Sequence, residues 1–516
     1  MAHVASRPHP ELSDAAERRR EAAPQLLRAA LAVAGPMVPA WQRDCIEALR
    51  GVAGIDLRVV AVGGRTPPPA PRCSALQLTP VASEPGTIAD ADVVFDFTGG
   101  ALAADAPLGV WSLRLGAADD WGLPFVREIA AGATFEIGLV RRSGRRRERM
   151  RTARFALGRW YPSTVRLALR SVAGWPAAAL AMLRDGIPLA AEGDEAPDAA
   201  PPRPRERAAF VAKLAAKLAN EALQQSFEVV EWNCGIVDGG AAAILADAPL
   251  AVRWLPRPPR GTFIADPFVV ERDGVRAMLV EHFDYEVGRG VIDALILDDR
   301  DEVVARRRAI EAETHLSYPY PLEIEGDLYV VPENCAGKEV ALYRCVAFPD
   351  RWARETVVLP FDGVDTTIFR HDDRWWALCT RHSGGSTLAL HAFHASSPRG
   401  PWLPHALNPI VVDVTCGRPA GAPFTVEGVL YRPGQDCARS YGAGLTIARV
   451  DELTPWSYRE TVVRRIDASS FGRWRDGVHT LAFTRGRAVV DGKRAYADPR
   501  KLRWMLRRVR EKLRGA

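Results

Sequence analysis

Three acidic residues stand at the ends of short apolar strands in the second half of the chain. They are Asp266 in Ala265-Asp266-Pro267-Phe268, Glu333 in Val331-Pro332-Glu333-Asn334, and Asp365 in Asp365-Thr366-Thr367-Ile368. Making or breaking a glycosidic bond needs a carboxylate that serves as base or nucleophile and a carboxylic acid that protonates the leaving oxygen, held about 5 to 10 Å apart across the sugar. Asp266 suits the ionised role, because Pro267 fixes the chain beyond it and brings no competing N–H. Glu333 suits the acid, since burial beside Tyr318 and Tyr320 would raise its pKa. Asp365 is placed to tune that acid or to grip a hydroxyl. Each carboxylate taken singly is equally a turn residue capping its own backbone. Three of them at corresponding places in a repeat are what point to chemistry.

The repeat is also what must position them. After residue 260 one phrase recurs: a small or acidic residue beside Pro or Thr opens an apolar strand, a Gly or Asp turn follows, and an aromatic-rich strand returns. The copies run through Ala265-Asp266-Pro267-Phe268 with Arg276-Ala277-Met278-Leu279-Val280, and Ser317-Tyr318-Pro319 with Asp327-Leu328-Tyr329-Val330-Val331. They continue through Asp365-Thr366-Thr367-Ile368-Phe369 with Arg374-Trp375-Trp376-Ala377-Leu378, and Gly421-Ala422-Pro423-Phe424 with Val429-Leu430-Tyr431. A period of about 50 residues with several short strands in each predicts a β-propeller. Such a fold gathers the inner strands of all its blades around one axis, so acids distant in sequence converge on one pocket. We expect five blades over residues 227–498.

Further polar residues suit the lining of that pocket. Arg418 in Gly417-Arg418-Pro419-Ala420-Gly421, Arg432 and Gln435 in Tyr431-Arg432-Pro433-Gly434-Gln435-Asp436, and Tyr441 supply planar donors and an aromatic face, which fit a saccharide or a phosphate. His282, Tyr318, His479 in Gly477-Val478-His479-Thr480 and Arg494 in the closing hairpin complete the expected substrate contacts. His479 points either to the axis or to a core partner. No group of histidines has the spacing of a metal site, so no metal is expected, and no cofactor is identified beyond a nucleotide sugar as donor.

Composition limits the alternatives. A net charge of +5 over 516 residues is too small to imply nucleic acid. The one dense basic run, Arg141 to Arg154, is either a solvated loop and helix or, with residues on to 183, a basic face for an anionic membrane surface. Eight cysteines without a CxxC pair fit reduced thiols, and Met1 to Pro24 lacks the apolar core of an export leader. We expect a cytoplasmic protein.

The first half reads differently. Residues 1–27 form a polar arm. Over residues 28–140, apolar runs at Ala29–Ala34, Ile55–Val62 and Ala91–Thr98 alternate with a helical pattern through Trp41, Cys45, Ile46 and Leu49. That order predicts a doubly wound parallel sheet with Asp96 and Gly99-Gly100 at the ligand-binding end of a strand. Residues 141–226 predict a basic helical segment, a Pro-rich linker and a bridging helix, and residues 499–516 a basic helix. The fold class expected is thus α/β followed by all-β.

The propeller half resembles the N-terminal domain of plant glucosamine inositolphosphorylceramide transferases and the bacterial proteins grouped with them. The resemblance runs over about Gly261 to Arg494, with Arg432-Pro433-Gly434-Gln435-Asp436 its most specific part. More distantly the repeat is similar to five-bladed glycoside hydrolases of the arabinanase and invertase kind, whose acidic trio lies on inner strands. Ala91-Asp92-Val93-Val94-Phe95-Asp96-Phe97-Thr98-Gly99 and Leu108-Gly109-Val110-Trp111-Ser112 resemble the N-terminal domain of formyltransferases. The Asn and His that formyl transfer relies on are missing, because no Asn precedes Asn220 and no His lies between His9 and His282. The leading expectation is a carbohydrate-active enzyme acting on a saccharide or glycolipid, with transfer preferred over hydrolysis because no export signal opens the chain while polymer-degrading propeller hydrolases are usually secreted. A non-catalytic saccharide-binding propeller is the alternative from another class.

Overall fold

The protein is described by a computed structural model covering residues 26–62, 78–83, 88–99, 102–116, 123–197, 199–501 and 504. The polar arm at 1–27 and the basic helix at 499–516 fall almost wholly outside these residues. The chain forms two compact units, one of residues up to Ala153 with Trp160–Leu214, the other of Arg154–Arg159 with the chain from Ala215 onward.

In the first unit, strands Ile55–Ala61, Leu27–Val33, Val93–Phe97 and Val110–Leu115 lie side by side in that order, all parallel. Ala29 to Val33 and Val93 to Phe97 are buried throughout, the signature of parallel strands covered on both faces. Helix Ala40–Arg50 buries Trp41, Cys45, Ile46 and Leu49, the stripe its spacing predicted. Asp96 turns out to organise its own loop: its carboxylate accepts the Thr98 N–H (3.0 Å), the Thr98 hydroxyl (2.7 Å) and the Leu102 N–H (3.1 Å).

The basic run departs from expectation. Instead of a helix from residue 141, strand Phe135–Ser143 folds back on Arg146–Phe155. Alternation in a strand places Glu148 beside Arg141 (2.6 Å) and Arg146 (3.1 Å). Arg149 lies between Glu195 (2.5 Å) and Glu136 (3.0 Å). Carboxylates of the hairpin itself, with Glu195 from further along the chain, neutralise a stretch whose composition resembled a solvated helix. Helices follow only at Tyr161–Val172 and Trp175–Arg184, and the bridging helix spans Pro204–Phe227.

The second unit is mainly β, a propeller-like arrangement of antiparallel sheets. One contains Thr262–Arg272, Val275–Asp284, Arg289–Leu297 and Val303–Ile310; the next contains Ser317–Ile324, Asp327–Glu333, Val340–Ala347 and Arg351–Leu359. An antiparallel ribbon of Gly363–His371, Arg374–Arg381, Ala389–Ala395 and Val411–Asp413 follows. Arg418–Pro419 and Phe424–Val426 then pair with Val429–Asp436, which continues to Gly444–Leu453 and Tyr458–Asp467. The closing sheet joins the two ends of the unit, since Glu228–Asp238 pairs with Arg487–Ala497, flanked by Val252–Trp254 and Leu481–Thr484.

The repeated phrase has a conformational meaning. Pairing of the first two strands breaks between Ala265 and Phe268, between Ser317 and Tyr320, and between Val364 and Thr367. Within each break one residue takes a left-handed backbone: Asp266 (φ 53°), Tyr318 (φ 44°) and Asp365 (φ 50°). Gly421 (φ 129°) holds the corresponding place in the fourth copy. A bulge of this kind re-aims a side chain out of the sheet's alternation and costs about 1–3 kcal/mol for a residue other than glycine. Below the bulges, Phe268, Tyr320, Tyr329, Ile368 and Phe393 pack in one apolar cluster that ties the sheets together.

Candidate active site

Hydrogen bonds between innermost segments run in a closed circuit. The Tyr318 N–H donates to Asp266 Oδ2 (3.1 Å), and the Tyr318 hydroxyl lies 2.8 Å from Thr367 Oγ1. Arg418 reaches Asp365, Gly421 bridges to Leu481, and the Thr480 hydroxyl donates to Asp266 Oδ1 (2.6 Å). Asp266, Glu333 and Asp365, spread over 99 residues in sequence, therefore converge on one buried acidic cluster, the well of the circuit. The expectation of convergence holds, and the well is lined by acids.

Two carboxylates in it are held very differently. Asp365 receives a forked contact from Arg418, Nε to Oδ2 at 2.6 Å and a terminal nitrogen to Oδ1 at 3.1 Å, and the Gln435 side-chain amide donates to Oδ2 (2.7 Å). Such a fork fixes orientation as well as charge. Asp266 is held by Thr480 and Tyr318 and by His479, whose Nε2 lies 3.6 Å from Oδ1. The other imidazole nitrogen is 2.6 Å from Asp491 Oδ2, while Trp232 stacks on the ring at 4.0 Å. Burial pushes the Asp266 carboxyl up to about 6 against the pull of His479. For His479 burial disfavours the charge, yet Asp491 and Asp266 outweigh it and hold the imidazole above its usual value.

Glu333 ends strand Asp327–Glu333 and accepts the Asp365 N–H at Oε2 (3.3 Å), with Arg418 at 3.5 Å. Burial, and then the charge of Asp365, hold its carboxyl well above the ordinary carboxylate range. Burial is the cause expected, but the Tyr320 hydroxyl is turned away to donate to the Ile368 carbonyl (2.9 Å). Tyr441 lies over the Arg418 guanidinium at 5.0 Å and against His479 at 5.3 Å, and is 43% exposed, so it stands at the mouth of the well.

Of the other expected contacts, Arg418, Gln435, Tyr441 and His479 are brought together here. Tyr318 contributes its backbone N–H, while its fully buried ring packs against Phe268. Three residues lie elsewhere. His282 faces Asp293 (3.3 Å), which also binds Arg306 and Arg308. Arg432 is committed to a fork on Glu460 (2.9 and 2.6 Å) and to the Cys416 carbonyl (3.0 Å). Arg494 stacks on Tyr496 at 5.0 Å. Each sits one strand residue, or an odd number of them, from a residue that does face the well, and alternation turns it away.

Four members of the site were not anticipated: Glu281, Asp491, Trp232 and Lys493. Glu281 is 6% exposed, and burial with the charges of Asp266 and Glu333 raises its pKa well above the usual value. Its nearest base is His315, 3.4 Å away. A signal for it was present. Glu281 follows Asp266 by the same interval as Glu333 follows Tyr318, and the pairs Ala265 with Glu281 and Ser317 with Glu333 occupy the same place in their sheets. Asp491 accepts the N–H groups of Asp266 (3.2 Å), His479 (2.9 Å) and Thr480 (3.1 Å). Lys493, two residues on and thus on the same face, bonds to Ser440 Oγ (3.0 Å) and the Tyr441 carbonyl (2.5 Å). Carboxyls outnumber their cationic partners in this well, and like-charge crowding favours protons on some of them.

Asp266, His479 and Asp491 also offer ligand atoms within 4.8 Å of one another. The carboxylate oxygens accept from Thr480, Tyr318 and backbone N–H groups, and His479 lies against both carboxylates as an ion pair.

Residues 256–479 match the family model described as "Glucosamine inositolphosphorylceramide transferase 1, N-terminal". Curated relatives include glucosamine inositolphosphorylceramide transferase 1 of Oryza sativa subsp. japonica, 34% identical over 207 residues, which are 39% of this chain and 28% of the relative. The Arabidopsis thaliana protein of the same name is 32% identical over 218 residues, 41% of this chain and 28% of its own length. The similarity thus spans well under a third of these relatives. Among solved structures, a GH43 beta-xylosidase/alpha-arabinofuranosidase from a compost microbial metagenome has a TM-score of 0.33 at 13% identity, covering 47% of this chain and 93% of the other. An exo-1,5-alpha-L-arabinanase from a bovine ruminal metagenomic library has a TM-score of 0.30 at 11% identity, covering 45% and 93%.

Proposed function

We propose that the second unit is a five-bladed propeller, the ribbon from Gly363 to Asp413 counting as one blade, and that its acidic well makes or breaks a glycosidic bond. The observation that carries this reading is the contrast around Arg418. Asp365 is gripped by the guanidinium while Glu333, against it, is pushed toward the protonated form. In this scheme Glu333 gives its proton to the leaving oxygen. Asp266 takes the proton of the incoming hydroxyl or attacks the anomeric carbon itself. Asp365 and Arg418 position Glu333 and set its proton affinity. The names of the matched relatives support transfer to a glycolipid, and we take a nucleotide sugar as the donor to be tried.

One observation favours a saccharide-binding role instead. Both oxygens of Asp266 already accept hydrogen bonds from the protein, as those of a structural carboxylate do.

The test uses aryl glycosides with good and poor leaving groups beside a panel of nucleotide sugars. Glu333→Gln should slow the poor leaving group by roughly 10²–10⁴ while sparing the good one, which departs without a proton. Asp266→Asn should abolish turnover of both. Equal turnover by all three proteins removes these residues from the mechanism, and saccharide binding without turnover in the wild type establishes the second role.

A further inference from the structure

Beside Tyr441 the second unit has a concave pocket of about 390 Å³ that the scheme above does not use. Arg439, Ser440, Asp467, Ser469, Arg475 and Asp476 line it. Its two carboxylates are turned to the backbone: Asp467 Oδ1 accepts the Ser469 N–H (2.8 Å) and Asp476 Oδ2 the Ala495 N–H (2.9 Å). Among the described residues no ion pair forms on Arg439 or Arg475, which stand exposed at its wall. Beside the hydrogen bonds from Ser469, Arg439 is near enough to Asp467 to help lower its pKa, but with no ion pair formed on either guanidinium their planar forks are open to an oxyanion.

The pocket is also tied to the well. Arg475 bridges to Lys493 along the backbone, and the Lys493 ammonium holds both Ser440 Oγ and the Tyr441 carbonyl. One short segment, Arg439 to Tyr441, therefore presents a guanidinium and a hydroxyl to the pocket and an aromatic ring to Arg418 and His479. The pocket and the ring that packs on Arg418 and His479 are thus served by one three-residue segment.

We propose that this pocket is a phosphoryl subsite, in which Arg439 and Arg475 bind the phosphate of a phosphorylated saccharide substrate with help from Ser440 and Ser469. The proposal deepens the glycosidic reading, because it makes the substrate an anionic one whose sugar enters the well. The same chemistry serves a donor diphosphate or an inositol phosphate head group on the acceptor side.

Calorimetric titration of the full chain with inorganic phosphate, UDP, myo-inositol 1-phosphate and neutral myo-inositol tests it. At least one of the two phosphorylated organic ligands should bind at least ten-fold more tightly than myo-inositol, weaken with salt, and lose ten-fold or more in affinity in Arg439→Ala/Arg475→Ala. Whichever of them binds more tightly identifies the donor or the acceptor as the source of the phosphate. Arg344→Ala, which removes an exposed arginine paired with Asp327 in another sheet, should change nothing. Equal binding of myo-inositol, or unchanged affinity in the double variant, overturns the subsite. Turnover of aryl glycosides, which carry no phosphate, reads the acids alone, so failure of the subsite and failure of the glycosidic reading are separate results.

Discussion

At the scale of single residues, what distinguishes the acids of the well is their partners. Asp365 is fixed by a guanidinium fork, Asp266 by hydroxyl, amide and imidazole, and Glu333 by one N–H and a more distant arginine. Removing the fork leaves Asp365 buried beside Glu333 without a counter-charge. Arg418→Met is therefore expected to cost about 3–5 kcal/mol of stability, measurable by urea unfolding, and the double variant Arg418→Met/Asp365→Leu to recover most of it. Proton linkage gives a second expectation. Asp266 binds its proton more tightly folded, with a pKa of about 6, than unfolded, where 3.8 applies. Its contribution to stability is then fully present below about pH 4 and is lost as the pH rises to about 6. Glu333, Glu281 and His479 shift in the same upward direction and extend the loss to higher pH. Compared with the wild type, Asp266→Asn should gain in melting temperature between pH 4 and pH 7, by the equivalent of roughly 2–3 kcal/mol. A difference that stays constant across that range would show the carboxyl to be unperturbed. Residue types alone nominated Asp266, Glu333, Asp365, Arg418, Gln435, Tyr441 and His479 for this well. His282 and Arg494 were nominated on the same ground, and the parity of their strands turned them away in favour of the neighbouring Glu281 and Lys493. Parity needs a register, and register becomes legible only once the bulges are located.

At the scale of elements, those bulges carry the design. The phrase that recurs in the sequence marks left-handed residues in the innermost strands, and it was legible because such a conformation selects Asp, Gly and a neighbouring Pro. The hairpin at 135–155 was not legible, because beside its own Glu136 and Glu148 its arginines are neutralised by Glu195, 46 residues downstream of Arg149. Charge pattern in a local window cannot report a partner so remote. Gly421 offers the sharpest test of the bulge. A Cβ there would stand 1.7 Å from the Leu481 carbonyl oxygen, and φ is 129°. Gly428, by contrast, sits at φ 80° with nothing within 4 Å. Gly421→Ala is expected to destabilise by about 3 kcal/mol or more and to separate the bridge to Leu481. Gly428→Ala should cost only about 1 kcal/mol, the backbone term alone. Chemical denaturation of the two variants side by side checks this, and equal losses would mean that Leu481 yields.

At the scale of the whole second unit, the site depends on closure. The strand Arg487–Ala497 pairs along its length with Glu228–Asp238, from the other end of the unit, and over Arg487–Val490 with Leu481–Thr484. It also delivers Asp491, whose carboxylate holds the N–H groups of Asp266, His479 and Thr480 at the axis. Its bond to the Asp266 N–H joins the closing sheet to the sheet that carries Asp266, beside the bond from the Thr480 hydroxyl to the Asp266 carboxylate. Contacts between strands this far apart in sequence are entropically expensive to form and return their stabilisation only once the ring is closed. Residues Glu228–Asp238 and Arg487–Ala497 should accordingly act as a single cooperative clasp. A chain ending before Arg487 is expected to lose the cooperative thermal transition of this unit and its near-ultraviolet signal from buried tryptophans such as Trp232, Trp376 and Trp474. The milder change Asp491→Asn keeps the strand and half of the acceptor capacity, so it should keep the fold, lower its melting temperature, and loosen His479. A truncated chain that still melts cooperatively at the temperature of the intact protein would show that the sheets stand independently, and the acids of the well would then owe their convergence to local packing alone.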